Sequence, residues 1–152
     1  MPILLRDATE GDASGISALV IGLSQRWIAS DCTQEGAAIL LASMGEDVTA
    51  DRLRGDGYHY VVAELDGRLV GVAALRRPSH LYHLFVVEHM QRRGVARALW
   101  DRVRVHAAPY EPVTVNASRV AIPVYRHLGF EPAGAERLER GIRSTPMQWC
   151  RR

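Results

Sequence analysis

Seven consecutive residues from Gln91 to Arg97, QRRGVAR, combine three arginines, an amide side chain and one glycine. They follow an apolar stretch that ends at Val87 and precede a helical pattern that runs to Val103. A helix N-terminus leaves backbone N–H groups unpaired and carries the positive end of the helix dipole, so it binds anions. Gly94 has no Cβ and lets a bound group approach the backbone. The pattern predicts a strand, a turn and a helix start that together hold a phosphate, most naturally a diphosphate.

Other residues of the same stretch support this interpretation. Arg92, Arg93 and Arg97 add positive charge around the opening, and the small side chain of Ala96 keeps space free. The stretch is neither GxxxxGK[ST] nor GxGxxG, so it does not indicate a nucleotide triphosphate P-loop or a dinucleotide fold.

The periodicity of the chain predicts the elements that position this turn. Ile16, Leu19, Val20 and Leu23 recur at helical spacing, and Thr9 with Asp12 resembles a capping box before them. Asp66-Gly67 is a strong hairpin signal. The predicted strands are 3–8, 58–65, 68–75, 80–87, 112–117 and two closing strands near 130–134 and 142–149; the further predicted helices are 33–44, a turn at 49–54, one from Val95 and 119–128.

The order of these elements predicts an α/β fold with a mixed sheet and helices on both faces. The strand, helix and strand from His80 to Ala117 form a βαβ unit, so its two strands are expected to be parallel. The strands joined by the Asp66-Gly67 turn are antiparallel. Because no linker or repeat interrupts the chain, residues 1–152 are expected to form one domain.

Composition favours a cytoplasmic globular protein. No apolar run approaches the ~20 residues of a membrane-spanning helix, and the N-terminus does not have the pattern of a secretory signal. All 19 basic residues are arginine, they are spread along the chain, and the net charge is only +2, which argues against a nucleic-acid partner. Cys32, Cys150 and the six histidines show no metal-ligand spacing, so no metal is expected.

Three segments resemble the GNAT superfamily of acetyltransferases. Gln91 to Ala96 looks like the family motif Q/R-x-x-G-x-G/A, which binds the pyrophosphate of acetyl-CoA. VNASRVAIPVYRHLGF (115–130) resembles the downstream strand and helix of the family, and GIRSTPMQW (141–149) resembles the closing strand of many bacterial members. The resemblance covers most of the chain except its first third. It implies a mostly antiparallel sheet of six to seven strands with about four helices.

The resemblance also implies how acetyl-CoA is bound. The strand before the turn would pair with the pantetheine arm, with the amide of Leu84 stabilising the oxyanion of the tetrahedral intermediate and Val86 holding the arm. Asn116 would hydrogen-bond the same arm, and arginine side chains could reach the 3′-phosphate. The implied pyrophosphate-binding residues are Gln91, Arg92, Arg93, Gly94, Val95, Ala96 and Arg97.

Two side chains are implied in proton transfer. Tyr125 resembles the general acid that protonates the leaving thiolate. The base of the family often lies nine or eleven residues before the motif, which is Tyr82 or His80 here, and His80 suits the task. His83, Glu88 and a water chain remain alternatives. Strand alternation places residues 80, 82, 84 and 86 on one face in the absence of a bulge.

The predicted function is transfer of an acetyl group from acetyl-CoA to a primary amine by direct attack. Neither cysteine coincides with Tyr125 or the cofactor strand, in agreement with a mechanism that has no acyl-enzyme. The alternative is a non-catalytic module that binds or senses acyl-CoA. The acceptor is a small molecule or a peptide amine, for which Trp27, Asp31 and Glu35 lie in the expected region. A homodimer is common in this family.

Overall fold

A mixed sheet forms the centre of the protein, for which a computed structural model describes residues 2–151. The sheet order is β1-β2-β3-β4-β5-β8-β6, and β7 pairs with β8 beside this path. All neighbouring strands are antiparallel except β4 and β5. The strands are β1 (Leu4–Asp7), β2 (Tyr58–Leu65), β3 (Arg68–Arg76), β4 (His80–Val86), β5 (Val113–Ala117), β6 (Glu131–Pro132), β7 (Arg137–Glu139) and β8 (Ile142–Trp149).

Five α-helices cover the two faces of the sheet within residues 2–151. One side, which we call the α1 face, has a core in which Ile16 and Val20 pack on Val62 and Val72. The other side, the α4 face, has a larger core that contains the fully buried Trp100. The helices are α1 (Ala13–Trp27), α2 (Gln34–Ala42), α3 (Glu46–Arg54), α4 (Val95–Val103) and α5 (Ile122–His127).

Local signals in the sequence explain several boundaries. Thr9 and Asp12 form the predicted capping box, with the Thr9 N–H donating to Asp12 Oδ2 at 2.8 Å, and a short 3₁₀ turn leads from it into α1. Asp66 and Gly67 both have positive φ, 54° and 79°, as the predicted two-residue hairpin turn requires. In α4 the buried positions are Val95, Leu99, Trp100 and Val103, which lie on one side of the helix.

The predicted fold class is confirmed, with additions. The region predicted as one helical turn is the complete helix α3, and the short strand β7 forms a hairpin with β8 that the sequence did not indicate. The number of strands in residues 2–151 is therefore eight, and that of α-helices is five. Among these helices, none combines the length and the apolar content needed to cross a membrane.

Strands β4 and β5 separate soon after they meet. Their parallel pairing comprises only His80 with Thr114 and Leu81 with Val115. On its other side, β4 stays paired with β3 up to Val86, with a register shift between Leu81 and His83. This shift is a β-bulge with Tyr82 as the extra residue. The result is a gap between β4 and β5 in the middle of an otherwise continuous sheet.

The bulge determines which side chains of β4 share a face. Tyr82 packs in the core of the α1 face, whereas Leu84 and Val86 pack against the core of the α4 face. Residues 80, 82, 84 and 86 therefore do not share a face, because the predicted alternation holds only without a bulge and β4 has one. The extra residue reverses the side on which the following side chains lie.

Candidate active site

A cleft of about 1250 Å³ opens where β4 and β5 separate. Its walls come from both sides of the sheet, because the gap connects the two faces. The βα turn before α4 forms one end, and the start of β4 with the β7–β8 turn forms the other. The α4 face contributes Leu81, Leu84, Val86, Val95 and Tyr125, and the α1 face contributes Leu23, Trp27, Leu40, Met44, Tyr82 and Phe85.

The turn before α4 has an unusual backbone. Gly94 is the N-cap of the helix with φ 81°, and Arg92, which is not glycine, also has a positive φ of 64°. A non-glycine residue in this region is strained, and such strain is found preferentially at functional sites. A Cβ on Gly94 would point into open space, with no heavy atom within 4 Å. The turn therefore offers an open, close approach to the backbone.

Backbone donors face this opening. The first hydrogen bond of α4 joins the Ala98 N–H to the Gly94 oxygen at 3.0 Å, and no side chain caps the helix. The N–H groups of Val95, Ala96 and Arg97 precede this bond, so they are available to an anion at the positive end of the helix. This geometry fits the diphosphate of acetyl-CoA.

The three arginines of the turn have different surroundings. All are exposed, but only Arg92 and Arg97 line the cleft. Arg97 donates to the main-chain oxygen of His127 at 2.9 Å, which ties α4 to the end of α5. Arg93 lies outside the cleft lining.

The edge of β4 presents backbone groups to the gap. The Val87 N–H donates to Val70 O at 2.9 Å, which together with the β3–β4 register makes Val72–Phe85 the next hydrogen-bonded pair. The N–H groups of Leu84 and Val86 consequently point away from β3, into the gap. Gln91 Nε2 donates to Val86 O at 3.0 Å, so this side chain links the strand edge to the turn.

Tyr125 lies on the same face as Leu84 and Val86. It is only 6% exposed, packs against Phe130 with ring centroids 5.4 Å apart, and lines the cleft. Burial raises the pKa of its phenol well above the ordinary value of 10. The group therefore stays protonated at neutral pH.

His80 and Asn116 lie on the opposite face, across the strands from Tyr125. His80 Nδ1 is 2.7 Å from Thr114 Oγ1, and Asn116 is exposed, with its Oδ1 3.3 Å from Arg137. Burial, with a smaller contribution from Arg76, lowers the pKa of His80 to about 4. His80 is thus neutral at pH 7. Because Tyr82 is the extra residue of the bulge, three steps of the β3–β4 register separate His80 from Leu84, a distance of roughly 10 Å.

The other candidate bases differ in their access to the cleft. His83 lines it but is 3% exposed, its Nε2 has no partner among the described residues, and burial lowers its pKa to about 3. Glu88 lies outside the lining and pairs with Arg26 at 2.8 Å. Of the acceptor candidates, Trp27 lines the cleft and is 40% exposed, whereas Asp31 and Glu35 do not belong to the lining.

Sequence reasoning missed two arginines on the α1 face. The guanidinium carbons of Arg52 and Arg76 lie 4.7 and 5.9 Å from the centre of the Tyr82 ring. Arg76 ends β3 and lines the cleft. Neither residue belongs to a motif, and only the register between β3 and β4 brings Arg76 beside His80.

The cleft thus combines open backbone donors at the turn, a free strand edge and a buried phenol. Within residues 2–151, no group of His, Cys, Asp and Glu side chains is arranged to hold a metal ion.

Solved structures share this architecture. A GCN5-related N-acetyltransferase from Rhodopseudomonas palustris, also described as a class-II aminotransferase, is 25% identical with a TM-score of 0.80, covering 98% of this chain and 96% of that one. PaiA N-acetyltransferase from Thermoplasma acidophilum, in complex with coenzyme A, is 12% identical with a TM-score of 0.80, covering 98% and 99%. A Corynebacterium glutamicum structure, described as histone acetyltransferase HPA2 and related acetyltransferase, is 22% identical with a TM-score of 0.68, covering 97% and 96%.

The last two structures show the fold alone at these identities. No curated protein matches the sequence. The family model for the GNAT acetyltransferase domain matches residues 28–150, which is most of the chain. With the turn, the strand edge and the phenol in place, the chain belongs to the GNAT family of acetyltransferases, acyltransferases that use acetyl-CoA.

Proposed function

We propose that the protein is an N-acetyltransferase that moves the acetyl group of acetyl-CoA directly to a primary amine. The gap between β4 and β5 carries this proposal, because it leaves the N–H groups of Leu84 and Val86 unpaired next to the buried Tyr125. The acceptor is a small molecule or a peptide. The homodimer implied by the resemblance stays a prediction.

The turn and the strand edge bind and orient the co-substrate. The N–H groups of residues 95–97 and the open position at Gly94 hold the diphosphate, and Arg92 adds positive charge beside it. The exposed arginine side chains of the turn bind the 3′-phosphate of the co-substrate. The backbone of Val86 holds the pantetheine arm, and the side chain of Asn116 approaches this arm from the opposite strand.

The reacting groups lie on the two sides of the gap. Acetyl-CoA supplies the thioester carbonyl, towards which the Leu84 N–H donates a hydrogen bond that strengthens as the oxygen becomes negative. Tyr125 then gives its proton to the thiolate sulfur that leaves. The raised pKa of the phenol keeps this proton in place until it is needed.

The proton of the amine leaves on the α1 face. His80 is unprotonated at pH 7 and lines the cleft, but it lies too far along β4 from Leu84 to touch the amine, so it accepts this proton through intervening water. With a pKa of about 4 it is a weak base and passes the proton on to water. Buried His83 and the ion-paired Glu88 are less suited to this role.

Calorimetric titration with acetyl-CoA and CoA tests the cofactor site. Gly94→Glu places a carboxylate where the diphosphate binds and is expected to abolish binding. Gly67→Glu is the matched control, because Gly67 also has φ near 80° and open space around its Cβ position but lies in the β2–β3 turn. Equal binding by both variants, or none by the folded wild type, would refute the proposed site.

A panel of primary amines with thiol release as the readout then tests catalysis. Acetylation of an amine distinguishes the enzyme from a module that only binds acyl-CoA. A protein that binds acetyl-CoA but acetylates no amine would contradict the proposed reaction.

A further inference from the structure

Beside the start of β4, the α1 face has two arginine side chains whose positive charge is not balanced by a carboxylate within residues 2–151. Arg52 and Arg76 both approach the ring of Tyr82, Arg52 from α3 and Arg76 from the end of β3. Among the described residues, neither guanidinium forms an ion pair with a carboxylate. Two like charges on one ring repel each other, so an anion near both would stabilise the arrangement.

The two arginines differ in their freedom to bind an anion. Arg52 is half-buried, donates to Ser43 O at 2.7 Å and also approaches Tyr58, so its position is fixed. The side chain of Arg76 is exposed, lines the cleft and donates no hydrogen bond to any described residue. Only its backbone is paired, with the neighbouring strands. Arg76 is therefore the group that can reach a bound molecule, while Arg52 raises the local potential.

The rest of the cleft does not neutralise this charge. Glu139 is the only carboxylate among the described residues of its lining, and it pairs with Arg137 at 3.4 Å. Asp31 and Glu136, which lie nearby, are engaged by Arg119 and Arg143. The arginines of the lining are Arg76, Arg92, Arg97, Arg140 and Arg143.

This positive site is separate from the phosphate turn. Arg76 pairs in register with His80 at the first residue of β4, whereas the turn follows the last residue of the same strand. With Tyr82 bulged out, this length of β4 spans five steps of the β3–β4 register, or roughly 17 Å. Between Arg76 and the phosphate turn, the α1 side of the cleft is lined mainly by the apolar side chains of Leu23, Trp27, Leu40, Met44 and Phe85.

We propose that the acceptor is a primary amine with an apolar body and a carboxylate, and that Arg76 binds this carboxylate. The inference rests on the proposed function, because it assigns the acceptor of that reaction. A guanidinium that is already next to a second positive charge gains more from an anion than an isolated one, and Arg can bind a carboxylate with two parallel hydrogen bonds. Simple cationic polyamines would be repelled from the same place.

Matched acceptors test this specificity. We would measure kcat/KM by thiol release for L-phenylalanine and L-phenylalaninamide, and for phenylalanyl-glycine and its C-terminal amide. Each pair differs in the negative charge and hardly in shape. We expect the carboxylate member of at least one pair to have a kcat/KM about tenfold higher or more. A hydrogen bond to a charged group is worth roughly one to two factors of ten in binding.

Variants of Arg76 separate recognition from intrinsic amine reactivity. Arg76→Gln is expected to reduce the preference within the pair to near its solution value, and Arg76→Glu to reverse it in favour of the amide. Arg68→Gln is the control, because Arg68 is exposed on the same strand but lies at its other end, outside the cleft. It should leave the preference unchanged.

The outcomes distinguish the two proposals. Failure of the wild type to bind acetyl-CoA in calorimetry would refute the proposed function and this inference with it. If acetyl-CoA binds but none of the four probes is acetylated, or if the amides are acetylated as well as the acids, only the inference is overturned. A preference that persists in Arg76→Gln would also overturn it.

Discussion

The phenol of Tyr125 is the side chain on which the proposed chemistry depends most. We expect Tyr125→Phe to lower kcat by about 10²–10⁴-fold, because the thiolate would lose its proton donor. The Phe ring keeps the packing against Phe130, so stability and the affinity for acetyl-CoA should change little. Steady-state kinetics with the best acceptor of the amine panel, together with calorimetry, would measure both.

A second tyrosine provides the control for this variant. Tyr110 is 99% exposed and lies outside the cleft, so Tyr110→Phe should leave kcat unchanged. A Tyr125→Phe enzyme with wild-type kcat would show that water or another group protonates the sulfur. An equal loss of kcat and acetyl-CoA affinity would instead assign Tyr125 to binding.

Single positions differed in how well the sequence predicted them. The position of Tyr125 beside the cleft could be predicted because this residue belongs to a motif in which Asn116 and Gly129 fix its place along the chain. The placement of His80 and Leu84 on opposite faces could not be predicted from the sequence, because the bulge at Tyr82 depends on the pairing of two strands. The proposed role of Arg76 could not be predicted for a related reason, since it depends on neighbours that are distant in sequence.

The contact between α2 and the β7–β8 turn borders the end of the cleft at which we propose that the acceptor binds. The Thr33 N–H donates to Gly141 O at 2.9 Å, and a Cβ on Gly36 would clash with the backbone of Gly141. We expect Gly36→Ala to lower the free energy of unfolding by about 1–3 kcal/mol, the usual cost of overpacking, and to raise KM for the acceptor. Urea denaturation and acceptor kinetics would test this.

A helical glycine without neighbours is the matched comparison. Gly22 lies in the middle of α1, and nothing is within 4 Å of its Cβ position. Gly22→Ala should therefore stabilise the protein by up to about 1 kcal/mol through helix propensity. Equal stabilities of the Gly36→Ala and Gly22→Ala variants would show that α2 does not approach the β7–β8 turn this closely.

Helices and strands were predictable to the extent that their signals are local. Strand β2 has the predicted bounds, and α4 begins at the predicted Val95, because alternation, turn residues and a helix start are written in neighbouring residues. The hairpin of β7 with β8 was not predictable in this way. Strand β7 is three exposed residues, and it exists because Arg137 to Glu139 pair with β8.

The sheet as a unit has the property that no segment shows alone, namely the gap between β4 and β5. The sequence predicted that these strands are parallel neighbours, which is correct. It could not show that they pair at two positions only. The gap arises because the bulge at Tyr82 turns β4 while β5 stays paired with β8 along its full length.

Amide hydrogen exchange can detect this gap and its proposed occupant at once. Along β4, the N–H groups of Phe85 and Val87 are in the ladder with β3, whereas those of Leu84 and Val86 face the gap. In the free protein we expect Leu84 and Val86 to exchange much faster than their neighbours, because they have no strand partner. Exchange resolved by residue, for example by NMR, would show this alternation.

Binding should remove the alternation selectively. If the pantetheine arm pairs with β4 as an additional strand, saturating CoA is expected to slow exchange at Val86 and to leave Phe85 and Val87 nearly unchanged. Acetyl-CoA should in addition slow Leu84, since this N–H is proposed to donate to the acetyl carbonyl, which CoA lacks. Uniform slowing of all four positions would indicate global stabilisation by a ligand bound elsewhere. Absence of the alternation in the free protein would show that the gap itself is closed in solution.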